Sequence, residues 1–202
     1  MSKSTDWLRR QKNDPFVAER LRRGLNARSA IKLEQLDEKL KFIGKDKKTV
    51  DLGAYPGGFS QILLDRGVKD IIALDLHPPP LNLRDKLVYI QGDFTKPNVF
   101  EVCMQELGGT KADLVLSDLA PKTTGNPQQE HALQMELCRI ALEFTDKVLN
   151  PERGAFLCKV FQGEEDAEFA REMKMRFKEF RRVKPTASRK ESREIFYFGR
   201  NV

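Results

Sequence analysis

Cysteine and histidine are scarce in this 202-residue chain. Its three cysteines (Cys103, Cys138, Cys158) form no C-x-x-C pair, and His77 and His131 lie far apart, so neither a disulfide framework nor a structural zinc is expected. Neither is required, because at this length one core buries roughly 70% of the unfolded chain's surface. Long apolar runs are missing as well. No stretch approaches the roughly 20 residues that cross a bilayer, and residues 1–12 lack the apolar centre of a signal peptide. The expectation is an intracellular protein with no membrane partner and no metal. Repeats, low-complexity tracts and Gly/Ser linkers are also absent, so residues 1–202 read as a single domain, with 1–48 as a basic helical extension.

What is present is charge, and it is segregated. The net charge of +6 hides 14 basic and 7 acidic groups in residues 1–48, 11 and 19 in residues 49–170, and 11 and 4 in residues 171–202. Two basic ends that meet in space would suit a polyanionic partner, while the acidic middle serves another purpose. Solubility alone is the alternative reading of the same numbers.

Leu33, Leu36, Leu40 and Ile43 recur at helical spacing and predict a helix over Ala27–Leu40, with a polar break at Gly44–Lys48. Shorter helices are expected at Trp7–Gln11 and Phe16–Arg23, separated by Asn13-Asp14-Pro15. From Thr49 onward short apolar runs alternate with helical patterns. The runs are Thr49–Leu52, Asp70–Leu76, Leu87–Ile90, Ala112–Leu116, Gly154–Val160 and Glu194–Phe198. The intervening helices are Phe59–Asp65, Asn98–Leu107, Gln128–Leu149 and Glu165–Phe177. Such alternation predicts an α/β fold built on a doubly wound, mostly parallel sheet covered on both faces.

In that architecture ligands sit beyond the carboxyl ends of the strands. The residues there are the turn Gly53-Ala54-Tyr55-Pro56-Gly57-Gly58, then Asp75, Asp93, Ser117-Asp118-Leu119-Ala120-Pro121, and Lys159. Any one acid at a strand end could be a helix cap or turn former instead. The glycine spacing is not G-x-G-x-x-G and fits a pyrophosphate poorly, which disfavours a nicotinamide-dependent oxidoreductase. Asp75, 22 residues after Gly53, is placed to accept from ribose hydroxyls, and Gly92-Asp93-Phe94 offers an acid and an aromatic ring to adenine. A nucleoside-containing ligand is implied. Asp51, Asp75, Asp93 and Asp118 would favour one carrying positive charge.

These segments resemble the FtsJ/RrmJ family of S-adenosylmethionine-dependent ribose 2′-O-methyltransferases. The likeness rests on DLGAYPGGFSQ at 51–61, Gly92-Asp93-Phe94, SDLAP at 117–121, CKVFQGE at 158–164 and SRKESREIFYF at 188–198. It extends to Trp7-Leu8, Asp14-Pro15-Phe16 and Arg28–Leu33. It implies a seven-stranded Rossmann-like sheet, with S-adenosylmethionine as cofactor and residues 49–202 as the catalytic core. In that reading Gly57, Gly58 and Phe59 hold the methionine part of the cofactor, and Gly53 belongs to the same cofactor site. Asp75 holds the ribose, Asp93 the adenine, and Asp118 lies near the sulfonium. The chain departs from the family in having Phe59 where Trp is common and Tyr55 where a small residue is common.

The same resemblance marks Lys32, Asp118, Lys159 and Glu194 as a catalytic tetrad. The residue types suit the chemistry. A ribose hydroxyl is a poor nucleophile, and methyl transfer needs it aligned behind the methyl group and relieved of its proton. A lysine can do this if burial and a neighbouring cation lower its pKa, while carboxylates oppose that shift. Lys159 is therefore expected to orient and deprotonate the hydroxyl, with Asp118 holding it and Lys32 and Glu194 tuning its charge and gripping the ribose. Taken singly, Lys159 could snorkel to solvent or pair with an acid, Glu194 could be an edge-strand charge, and Lys32 a solvated helix position.

Arg20, Arg22, Arg23 and Arg28, with Arg181, Arg182, Lys184, Arg189, Lys190 and Arg193, flank the outer tetrad members and would meet nucleic-acid phosphates. A 2′-hydroxyl acceptor makes the substrate RNA. The extension resembles the bacterial ribosomal branch of the family and its mitochondrial counterpart. That implies an A-loop uridine of large-subunit rRNA on an assembling subunit, with the protein acting as a monomer. A tRNA anticodon-loop methyltransferase and a non-catalytic assembly factor are the alternatives. Asp6 and Asp14 interrupt what would be an acid-poor presequence, so bacterial cytoplasm and mitochondrial matrix both stay open.

Overall fold

A computed structural model describes residues 14–201. The expected helix at Trp7–Gln11 and the Trp7-Leu8 segment fall outside them. Helix α1 spans Pro15–Arg22 and starts on its own sequence signal: Asp14 caps it by accepting from the Phe16 N–H at 3.0 Å, and Pro15 occupies the first turn. Helix α2 follows at Ser29–Leu40. The body then runs β1 (Thr49–Leu52), α3 (Gly58–Asp65), β2 (Ile71–Asp75), β3 (Val88–Gln91), α4 (Pro97–Glu106), β4 (Leu114–Ser117), α5 (Pro127–Val148), β5 (Ala155–Phe161), α6 (Asp166–Arg176), β6 (Glu179–Val183) and β7 (Glu194–Arg200).

The seven strands form one sheet in the order β3-β2-β1-β4-β5-β7-β6. Pairing is parallel from β3 through β5, and β7 runs antiparallel to both its neighbours. Chain order reverses between β1 and β4, which opens a crevice beyond their carboxyl ends. Six of the seven strands coincide with apolar runs in the sequence. The seventh, β6, carries Glu179, Arg181 and Arg182 within five residues and buries none of them fully. A charged edge strand discourages pairing with other chains, and the same charges remove the apolar signal that would have marked it.

Each face of the sheet has its own core. On one, α4, α5 and α6 cover Val50, Leu52, Leu74, Val115, Phe156 and Val160. On the other, α2 and α3 cover Leu114, Leu116, Leu157, Phe196 and Phe198. Helix α2 is therefore no appendage to the sheet. Its Ala30, Ile31, Leu33 and Leu36 are buried in the second core, at roughly 1.5–3 kcal/mol for each large side chain.

Candidate active site

Side-chain alternation explains why charged residues distant in sequence meet. Successive strand residues point to opposite faces. Leu114 and Leu116 face α2, and the same parity carries Asp118 to that side just past the end of β4. On β5 it carries Lys159 with Ala155 and Leu157, and on β7 it carries Glu194 with Phe196 and Phe198. Lys32 lies on α2, the helix that covers this face.

Lys159 lies within β5, not at its end as its apolar run implied. The parallel pairing of β4 with β5 stops at Ser117 and Cys158, while pairing with β7 continues to Phe161. Lys159 is thus the first residue beyond the parallel part of the sheet, which puts it on the crevice rim. Its ammonium lies 3.1 Å from Asp118 Oδ1 and donates to the Asp118 carbonyl at 2.9 Å. Oδ1 itself has this counter-charge but no aligned hydrogen-bond donor.

Lys32 Nζ reaches Glu194 Oε1 at 2.7 Å and Oε2 at 2.8 Å. The Ser188 hydroxyl donates to Oε1 at 2.6 Å. Burial pushes the Glu194 carboxyl up, but Lys32, Ser188 and the more distant Lys159 together hold it below its ordinary value. Of the single-residue alternatives, only the pairing of Lys159 with an acid, Asp118, is seen. Lys159 is 7% exposed and does not snorkel, and Lys32 points into the ion pair with a side chain only 13% exposed. Glu194 is buried on β7, which lies between β5 and β6 and is not an edge strand.

Beside this cluster lies a cavity of about 490 Å³ lined by Gly53, Asp75, Asp93, Phe94, Asp118 and Leu119, among others. Gly53 has φ +75 and lies so close to Leu119 that a Cβ would come within 2.8 Å of its side chain, so the wall is closed by the absence of one. Asp75 Oδ2 accepts from the Tyr55 N–H and Oδ1 from the His77 N–H, each at 2.9 Å. This is the turn-forming role, yet a carboxylate retains further lone pairs for a ligand. Asp93 accepts from the Thr95 hydroxyl (2.7 Å) and N–H (3.0 Å), and that hydroxyl holds it below the usual carboxylate range.

Gly57, Gly58 and Phe59 do not line this cavity. Gly57 starts α3 at φ +96, and a Cβ there would strike Leu83 and Asn26. At Gly58 it would strike Ser29 and Ala27. The Phe59 ring is buried 6.3 Å from Phe196 in the α2-side core.

Asp51 lies wholly buried on β1. Its Oδ2 accepts from Ser60 at 2.6 Å, while Oδ1 has no partner. Burial, reinforced by Asp118 and Asp75 and opposed by Ser60, pushes its carboxyl up to about 7. No cluster of metal-ligating residues occurs among the described residues, and none of their helices is long and apolar enough to cross a membrane.

The basic ends touch each other. Arg28 donates to the Ala187 carbonyl at 2.8 Å and pairs with Asp14, which also lies 3.8 Å from Arg189. Many of the expected phosphate contacts are engaged internally. Arg23 is held bidentately by Glu34, Arg181 pairs with Glu179, Arg193 donates to the Pro127 carbonyl, and Lys184 to the Ser192 carbonyl. Ser188 was not visible in the sequence, because its partner is set by the folding of a loop. The Tyr55–His77 stack at the cavity mouth, with ring centroids 4.7 Å apart, left no signal either.

The chain is similar to known proteins over most of its length. The family model described as FtsJ-like methyltransferase matches residues 25–202. The chain is 43% identical over 193 residues to the ribosomal RNA large subunit methyltransferase E of Acidiphilium cryptum, covering 96% of this chain and 84% of the relative. It is 40% identical to the protein of the same name from Acinetobacter baylyi, covering 98% and 92%. Among solved structures, a ribosomal RNA methyltransferase of Plasmodium falciparum superposes with a TM-score of 0.78 at 28% identity, covering 87% of this chain and 97% of that one. These matches extend over most of the chain, and it belongs to the FtsJ-like methyltransferase family.

Proposed function

We propose that the protein transfers a methyl group from S-adenosylmethionine to a ribose 2′-hydroxyl of large-subunit rRNA, at an A-loop uridine on an assembling subunit. One observation carries this reading: Lys32, Asp118, Lys159 and Glu194 meet in a buried ion-pair cluster that shares Asp118 with a carboxylate-lined cavity. The relatives named for large-subunit rRNA methylation support the substrate. Those from Acidiphilium and Acinetobacter are bacterial and favour the bacterial cytoplasm over the mitochondrial matrix.

The cavity suits the cofactor. Its volume falls in the range of small-molecule sites, and its acids Asp75, Asp93 and Asp118 favour a cation. Asp75 would take the ribose hydroxyls, Asp93 and Phe94 the adenine, and Asp118 would lie near the positive centre. Gly53 keeps the wall thin. Gly58 and Phe59 would act through the backbone N–H groups opening α3, which suit the carboxylate of an amino-acid moiety, while Gly57, whose N–H donates to the Ala54 carbonyl at 2.6 Å, would shape the turn. When bound, the cofactor supplies an electrophilic methyl on a sulfonium. Lys159, once its ammonium has given up a proton to solvent, orients the acceptor hydroxyl and takes its proton; Asp118 holds the ammonium before and after by charge and through its carbonyl, and the Lys32–Glu194 pair grips the target ribose. Excluding water from the cluster strengthens each of these interactions.

The test is transfer of labelled methyl from S-adenosylmethionine to purified large subunits, free rRNA and tRNA, followed by alkaline digestion. An alkali-resistant dinucleotide from the subunits is expected. Label confined to tRNA, or alkali-labile product, overturns the substrate or the acceptor. Binding of S-adenosylmethionine with no transfer to any RNA would instead indicate the assembly-factor reading.

A further inference from the structure

Helix α5 carries a polar anomaly on its buried stripe. Gln134 stands among Met135, Cys138, Ala141 and Leu142, is 1% exposed, and leaves its Oε1 without a partner. Its Nε2 donates to the Lys159 carbonyl at 2.7 Å and the Leu119 carbonyl at 3.3 Å. The reversed amide would set its oxygen against two carbonyl oxygens, so the acceptors fix the orientation. These two carbonyls stand where the sheet divides. Parallel pairing of β4 with β5 ends at Ser117 and Cys158, and each carbonyl lies within two residues of that end, one on each strand's continuation. The Cys138 thiol, one turn along α5, reinforces the arrangement by donating to the Lys159 carbonyl at 3.2 Å.

We infer that Gln134 is a positioning residue for methyl transfer: its amide bridges the parting ends of β4 and β5 and thereby sets the separation of Asp118 and Lys159. An apolar side chain would fill the same space with no orphaned oxygen, so packing alone does not account for a glutamine here. The bridge also reaches the cavity wall, because Leu119 is the residue against which Gly53 packs. One amide thus ties Lys159, Asp118 and the cavity wall to a single helix position.

The inference rests on the proposed roles of Lys159 and Asp118. Its test uses the full chain with S-adenosylmethionine and large subunits. Gln134→Met keeps the volume and removes the donors. We expect kcat to fall by about tenfold to a hundredfold, the cost of a misplacement near 1 Å, with KM for S-adenosylmethionine within about threefold and Tm unchanged or raised. Gln134→Glu can donate only while its carboxyl holds a proton, so its transfer rate relative to wild type should fall as pH is raised from 6 to 8.5. A Gln134→Met kcat within twofold of wild type overturns the inference, as does a Gln134→Glu profile parallel to wild type, which also decides the matter if Gln134→Met does not fold. Lys159→Met is run alongside. If it retains transfer, the reading of the site itself has failed, whatever the Gln134 variants do.

Discussion

The cavity and the tetrad stand side by side and balance their charge in opposite ways. In the tetrad each carboxylate has a lysine: Lys32 on Glu194 and Lys159 on Asp118. Around the cavity, Asp75 is held by backbone N–H groups and the exposed His77 ring, and Asp93 mainly by Thr95. Among the described residues no lysine lines the cavity. A site for a cationic cofactor gains from leaving its acids without strong counter-charges, since the ligand supplies the missing charge. A site for a neutral hydroxyl has no such help, and its ionised groups must neutralise one another before the substrate arrives.

The largest effect that would break this comparison is at Lys159. Lys159→Met should lower methyl transfer by about a thousandfold, within the usual reach of general acid–base catalysis, with S-adenosylmethionine affinity changed less than about threefold. A matching loss of affinity would mean that the two regions are one electrostatic unit. Next is stability. Lys32→Met strands a buried carboxylate and should cost about 3–5 kcal/mol in urea unfolding, whereas Lys32→Met with Glu194→Gln should recover much of it. Equal losses in the single and double variants would show that the pair is not balanced as described.

Asp51 sharpens the cavity side. Its folded-state pKa of about 7 lies above the ordinary value of 3.8, so the folded chain holds a proton that the unfolded chain releases. The associated stability is complete below pH 3.8 and is lost as pH rises through 7. Asp51→Asn should therefore match wild type near pH 4 and exceed it increasingly toward pH 8. The ceiling is about 4 kcal/mol for a shift of this size. A Tm difference independent of pH would mean that the carboxyl is ionised when folded.

The smallest effect concerns RNA. Arg22 has no ion-pair partner among the described residues, while Arg23 is clamped by Glu34 and Glu19. Arg22→Glu should weaken rRNA binding and reduce the slope of log K against log salt by about one phosphate contact. Arg23→Glu should act mainly on stability, by untying α1 from α2. A larger slope change at Arg23 would show that RNA displaces Glu34.

Much of this was legible in the chain. Leu33, Leu36 and Leu40 announce α2, the run from Asp51 to Phe59 marks a strand, a tight turn and a helix start, and the strand-end acids mark the crevice. Each of these signals is local, carried by period, turn chemistry or residue type over a few positions. The boundary at β5 was legible only in part, because Lys159 owes its rim position to β4 stopping early, a property of another strand.

The sequence by itself determined the order of elements, the glycine turn and the set of ionisable residues, since these follow from backbone preference and apolar spacing within short windows. Only the tertiary structure decided which charges pair. Lys32 and Glu194 are 162 positions apart, and their meeting depends on α2 covering the same sheet face to which strand alternation sends Glu194, Lys159 and Asp118. It also decided that Gln134 bridges two strand ends, that Ser188 donates to Glu194, and that Arg23 is held by Glu34. Such contacts depend on how separate elements register against one another, and no local pattern encodes that register.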